Sequence, residues 1–383
     1  MKGSDTKVGT AHASPGECAT GTLDVTALPT GGTERIPVLV ARGVEAGPTL
    51  WIIGGIHGNE LTGVAAAQDV LADGVPSGLR GTVVCAPMCN PAGLRRTERT
   101  SYYHGDDPNR YFPGEDDDRT TEPRVQELID ERLYDAVVDS ADAVLDFHTA
   151  QVGSVPFVIR DRVLYEVADG DESGETPTDG DETTTERDDR TRRSESDARA
   201  LADDLEALAN ATDLPIVTEY PAAEYTDRNL HRSTAGALLN EAGIPALTLE
   251  LGSHDVVEES YRAAGVAAAY RTMVHLGMLG AVPEAIESEA PSIDAPVDFP
   301  VRRFVGPYTG VAGLCRHRLV AGDVFDSGEP IADVVSPHGE VRETLSVEHD
   351  GYVLGRGSAV VYENDPVASL AVRDDGPLLA ERE

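Results

Sequence analysis

The chain has 383 residues, 31 of them basic and 68 acidic, for a formal charge of −37, with lysine only at positions 2 and 7. A surface this negative repels nucleic acid and anionic membranes, and acids spread along the whole chain point to solvation in a salt-rich cytoplasm, an acidic halophilic character, more than to one cationic partner. A hydrophobic content of 40% over this length suffices for one large domain plus a smaller one.

The segment 1–34 lacks the apolar run of a signal peptide, no window approaches the length of a membrane span, and Cys18, Cys85, Cys89 and Cys315 form no CxxC pair. These features predict a soluble cytoplasmic protein with reduced cysteines. TLWIIGGIHGNE begins as a buried strand over Thr49–Ile53, turns at Gly54 and Gly55 and enters a helix from about Leu61 to Leu71. TVVCAPMCNP (82–91) is a second apolar strand, stopped by Pro91, and AVLDFHTA (143–150) is a third that ends at His148. PALTLELG (245–252) is a fourth. Helical patterns follow Glu122, follow Ala198 and span about Tyr261–Leu279. Strands apolar on both faces, alternating with helices, predict an α/β fold in which a mixed sheet carries helices on both faces.

Residues 169–198 hold almost no apolar side chains and read as an acidic, disordered insertion into a domain spanning 35–282. Prolines in 283–300 suit a linker, and short β-type runs among Gly, Pro and Asp turns make 301–383 a small all-β domain.

His57 and Glu60 stand three residues apart where a strand gives way to a helix, and His148 ends another strand at the same sheet edge. Two imidazoles and a carboxylate suit one Zn2+ per chain, leaving the remaining coordination position for water. Asp146 lies on the same face as His148 if that strand alternates regularly, placed to hold the imidazole. Glu250 in TLELG ends an apolar strand, where a purely structural carboxylate would be costly to bury, and is the candidate general acid/base. Arg95, Arg96, Arg99 and Arg110 crowd the polar stretch from Asn90 to Gly114, and arginine forks there suit a small-molecule substrate bearing a carboxylate.

Taken together, GGIHGNE, NPAGLRR, DPNRYFPG, DFHT and LELG resemble, in order, the succinylglutamate desuccinylase and aspartoacylase family, over roughly residues 35–280. That resemblance implies a zinc carboxypeptidase-like fold and zinc ligands at His57, Glu60 and His148. It also implies Glu250 as acid/base, with Arg110 as a catalytic group. Asn109, Arg110, Arg99 and Asn90 are the implied substrate-binding residues. Pro108 departs from the family's usual DLNR, and the acidic insertion has no counterpart in it. The C-terminal part resembles a biotinyl-lipoyl-like β domain but has no lysine to carry a swinging arm. The expected activity is deacylation of an N-acyl amino acid, as a monomer or a homo-oligomer. Peptide trimming by a metallocarboxypeptidase and non-catalytic zinc binding are the alternatives.

Overall fold

Leu50 to Ile53 carry no exposed surface, and their side chains alternate between two apolar layers, which makes strand β5 the middle of the fold. The computed structural model describes residues 5–113, 122–166 and 193–382. A hairpin of β1 (Thr6–Val8) and β2 (Ala11–Ala13) leads to the long antiparallel strands β3 (Cys18–Ala27) and β4 (Thr33–Arg42). Strand β5 (Glu45–Gly54) and strand β6 (Arg80–Ala86) flank helix α1 (Leu61–Asp69), and the one-turn helix α2 (Pro91–Leu94) follows. Next come α3 (Val125–Val138), β7 (Ala143–Ala150), β8 (Phe157–Arg160), β9 (Val163–Tyr165) and α4 (Glu195–Ala211). Strand β10 (Ile216–Thr218), the short helices α5 (Ala222–Asp227) and α6 (Thr234–Asn240), β11 (Ala246–Ser253), α7 (Glu259–His275) and α8 (Glu284–Glu289) complete this part. The remainder is strand: β12 (Val301–Val305), β13 (Gly313–His317), β14 (Val324–Phe325), β15 (Pro330–Val335), β16 (Val341–Ser346), β17 (Gly351–Arg356), β18 (Val360–Val361), β19 (Ala368–Arg373) and β20 (Leu379–Glu381).

Twelve of these strands form one mixed sheet in the order β3-β4-β6-β5-β7-β11-β8-β10-β12-β19-β17-β14. Its centre, β6-β5-β7-β11, is parallel, with β8 running antiparallel to β11. Leu50, Ile52, Leu145 and Leu249 face a layer that includes residues of α1, α4 and α7, whereas Trp51, Ile53 and Val144 face one that includes residues of α3 and α6. Each such side chain contributes about 1.5–3 kcal/mol by leaving water. The expected α/β sheet with helices on both faces is therefore the observed one, followed by a β-rich C-terminal region.

Three details differ from the sequence reading. The boundary at 35 falls inside β4, and residues of the 1–34 segment form β1 to β3. Most of the 169–198 stretch lies outside the described residues, but its last residues are ordered: the Ser194 hydroxyl caps α4, which starts at Glu195, before the expected Ala198. Finally, β12 pairs with β10 at Arg302 and Thr218, so β12, β19, β17 and β14 continue the large sheet, while β16, β15, β13 and β18 form a separate four-stranded sheet and β20 returns to pair with β9. Among the described residues, no helix is long and apolar enough to cross a membrane.

Candidate active site

Parallel strands end their carboxyl edges together, and β5, β7 and β11 lie side by side. β5 ends at Gly54, and the chain then turns through Gly55, which adopts φ +66°, a left-handed conformation that glycine tolerates. Gly58 lies against the backbone of Gly93, where an added Cβ would be 2.1 Å from the carbonyl carbon. That turn brings His57 and Glu60 to the edge. Glu60 occupies the N-cap of α1 without spending its carboxylate on the helix.

His148 near the end of β7 comes to the same point, and all three side chains are 2% exposed. The two Nδ1 atoms lie 3.2 Å apart, and the Glu60 oxygens stand 2.8 Å from Nδ1 of His57 and 2.7 Å from that of His148. Each ring gives its other nitrogen to a carboxylate: His57 Nε2 to Asp107 at 3.0 Å and His148 Nε2 to Asp146 at 2.8 Å. With Nε2 donating, both Nδ1 lone pairs face one another and a carboxylate, an arrangement that attracts a cation. Two nitrogens each about 2.0–2.1 Å from one tetrahedral ion would be roughly 3.3 Å apart, so the donors fit a divalent first-row metal. His57, Glu60 and His148 are also mutually close enough for one ion, their ligand atoms all within 4.8 Å.

The electrostatics agree. Burial alone would raise the Glu60 pKa, but the imidazoles of His57 and His148 hold it well below the usual carboxylate range. Burial disfavours a charged His148, yet Asp146 and Glu60 outweigh it and hold that pKa well above the ordinary histidine value. Asp107 is likewise held low against its own desolvation, chiefly by His57 and then by Arg99 and Arg110.

Glu250 lies on β11 directly opposite His148 in the β7 register, just before a bulge at Gly252. It is 8% exposed and, among the described residues, its Oε2 has no hydrogen-bond partner. Burial first, and the charge of Glu60 second, raise its pKa. It lines a cavity of about 390 Å³ together with the three donor residues, Arg99 and Arg110.

The other expected residues divide. Asn109 lines the cavity; its Oδ1 accepts from the Thr234 amide at 2.7 Å and hydroxyl at 3.0 Å, which leaves Nδ2 as the donor it can offer. Arg110 donates to the Asn109 carbonyl and lies 3.9 Å from Asp107. Arg99 bridges Glu60 at 2.9 Å and Asp107 at 3.1 Å. Asn90 does not belong to the cavity: its side chain accepts from Gly93 N and donates to the Ile56 carbonyl at 3.1 Å, pinning the backbone just before His57. The residues lining the cavity do not include Asn90, and its 1%-exposed amide is engaged with the backbone, so the expected substrate contact is not among the arrangements seen here. Arg95 and Arg96 pair with Glu34 and Glu98 outside the cavity.

Sequence reasoning missed Asp107, although it stands in the DPNR motif, and missed Asp161, Glu219 and Arg303, which line the cavity. Arg303 comes from the C-terminal strands, where no motif marks it. The alternation of β7 would have found nothing more than Asp146, which it does place against His148.

Residues 46–162 match the family model of the succinylglutamate desuccinylase/aspartoacylase catalytic domain. One curated relative, the N-alpha-acetyl-L-2,4-diaminobutyric acid deacetylase of Halomonas elongata, is 35% identical over 118 residues, 31% of this chain and 33% of the relative. The match thus spans about a third of that protein's length. The solved succinylglutamate desuccinylase/aspartoacylase from Rhodobacter sphaeroides superposes with a TM-score of 0.68 at 21% identity, covering 94% of this chain and 96% of that one. The product-bound ectoine utilization protein EutE (DoeB) from Ruegeria pomeroyi gives 0.67 at 19%, covering 96% and 98%. At these identities the two structures speak for the fold. Residues 46–162, the stretch that contains His57, Glu60 and His148, are thus similar to a succinylglutamate desuccinylase/aspartoacylase catalytic domain.

Proposed function

We propose that the protein hydrolyses the amide bond of an N-acyl amino acid, with zinc held by His57, Glu60 and His148 and with Glu250 as general acid/base. The observation that carries this reading is the pairing of a buried His-Glu-His donor set with an unpartnered carboxylate oxygen on the adjacent strand end. A zinc ion bound there supplies a Lewis acid, which polarises an acyl carbonyl and lowers the pKa of water. Glu250, its pKa raised by burial, takes up a proton at the carboxylate during attack and returns it to the departing amine. Nδ2 of Asn109 and the Arg110 guanidinium supply donors for the developing oxyanion or for a substrate carboxylate. Asp107 and Asp146 keep the two imidazoles turned with Nδ1 inward. The acidic surface fits work in a salt-rich cytoplasm.

The test is a panel of N-acetyl and N-succinyl amino acids and short peptides offered to zinc-loaded protein at high salt. Release of free amino acid from the acyl compounds is expected, with the peptides left intact. The reading falls if no acyl compound is cleaved by protein shown to contain stoichiometric metal.

A further inference from the structure

Glu34 on β4 is the last residue of the segment that the sequence reading set outside the α/β domain, yet its side chain is only 1% exposed. A carboxylate that deep is costly without partners. Among the described residues, its side-chain partners both come from one segment, the loop between α2 and Pro108. The Tyr103 hydroxyl donates to Glu34 Oε2, and the Arg95 guanidinium stands 3.5 Å from Oε1. Burial, and then the hydrogen bond to Glu34, raise the pKa of Tyr103, so the hydroxyl keeps the proton it donates.

The same loop is a strap over the metal donors. Its Glu98 carbonyl accepts the Gly58 amide at 3.0 Å, Arg99 reaches Glu60 at 2.9 Å, and Asp107 at its far end receives His57 Nε2 at 3.0 Å. Between Arg99 and Asp107 the chain folds into a compact turn, closed by Ser101 N to Asp106 O and by Gly105 N to Ser101 O, both at 2.8 Å. Those bonds shape the turn but do not fix where it sits. Asp106 also pairs with Arg124 at 3.1 Å, but these side chains are 40% and 42% exposed, and such a pair contributes little. The Tyr103 bond ends on a charge shut away from water, where a hydrogen bond is stronger and its loss costs more.

We propose that Glu34, acting through Tyr103, is a positioning residue of the metal site: it holds the 95–107 strap to β4 so that Asp107 meets His57 Nε2 and Arg99 stays beside Glu60. The proposal rests on the metal-dependent deacylase reading. Glu34 itself does not line the cavity; it acts by restricting where Asp107 can sit. With the hydroxyl gone, the turn is free to shift, Asp107 loses its fixed approach, and the His57 ring is free to turn its Nδ1 away from Glu60. His148 is oriented separately, by Asp146 on its own strand, and does not depend on the strap.

The test is a double-mutant cycle read as zinc affinity in a chelator competition, with no turnover involved. Tyr103→Phe, which removes one oxygen and keeps the ring, should weaken zinc binding about 3- to 10-fold, less than the loss from Asp107→Asn. Combined with Asp107→Asn it should cost almost nothing more, because both act on His57; combined with Asp146→Asn, the two losses should multiply. A merely structural role lowers resistance to denaturant without this pairing. Glu34→Gln keeps an acceptor for the hydroxyl and should fall between the parent and Tyr103→Phe. Parental zinc affinity in Tyr103→Phe would overturn the proposal, and so would a loss that multiplies with that of Asp107→Asn. Glu34→Gln binding zinc more weakly than Tyr103→Phe would also overturn it, since the carboxylate would then act by another route. If the cycle comes out as expected but no N-acyl compound is cleaved, the positioning role stands and the deacylase reading falls.

Discussion

The two ends of the cavity are built in opposite ways. At the metal end, the donors come from two stretches, GGIHGNE and DFHT, on adjacent parallel strands, and their geometry is set by local turns and by register. At the far end, Asp161, Glu219 and Arg303 belong to three segments distant in sequence and meet because β8, β10 and β12 are neighbours in the sheet. Bond-making chemistry needs donors fixed to fractions of an ångström, which a short stiff segment delivers. A charged wall assembled from distant strands leaves no signature that one sequence displays.

The sharpest way to break this division is at the junction. Glu250→Gln should lower kcat about 10²- to 10⁴-fold while metal content, measured by elemental analysis, stays stoichiometric. Near-full activity would show that the proton moves elsewhere. Next in size are the carboxylates behind the imidazoles: Asp107→Asn and Asp146→Asn should each weaken zinc affinity about 10- to 100-fold in a chelator competition. Equal losses would support the symmetrical role that the two hydrogen bonds suggest, and a silent variant would remove its histidine from that scheme.

At the far end the readout is stability against pH. Burial, and then the charge of Glu219, push the folded pKa of Asp161 up to about 8, above the roughly 3.9 of an unfolded aspartate, so between these values the folded state binds more protons. The contribution is fully present below the unfolded value and is lost as pH rises through the folded one. Asp161→Asn, which cannot ionise, should therefore gain stability relative to the parent between pH 5 and pH 9, on the order of a few kcal/mol, measured by denaturant unfolding. A constant difference across that range would contradict the buried pair. The smallest effect is expected at Asn90: its alanine variant should lose about 1 kcal/mol of stability through the missing cap, with little change in KM. A large KM change with unchanged stability would restore a substrate role to it.

How much of this the sequence shows depends on whether the signal is local. Strand β7 has the expected 143–150 limits because every residue from Ala143 to Thr149 is buried, an apolar run interrupted only by Asp146, His148 and Thr149. Glu250 was legible for the same reason, as a lone acid in an apolar strand. The strands before residue 35 were not, because β3 is mostly half-exposed and its alternation is weak. Asn90 is ambiguous in the sequence because a polar residue beside a motif looks the same whether it caps a helix, as it does here, or meets a ligand. Arg303 sits among unremarkable β-type residues, and only the β10–β12 pairing gives it a role.

Arg162, next to Asp161, gathers the end of the chain to the cavity wall. It donates to the carbonyls of Glu219, Tyr220 and Pro377 and pairs with Asp374 at 3.1 Å, while β20 zips onto β9 just beyond. A polypeptide that stops short of these residues lacks the clasp that seats Asp161 beside Glu219. During synthesis, the metal donors and Glu250 emerge from the ribosome well before the segment that completes the charged wall. A prematurely terminated product would thus lack this clasp while still carrying His57, Glu60, His148 and Glu250.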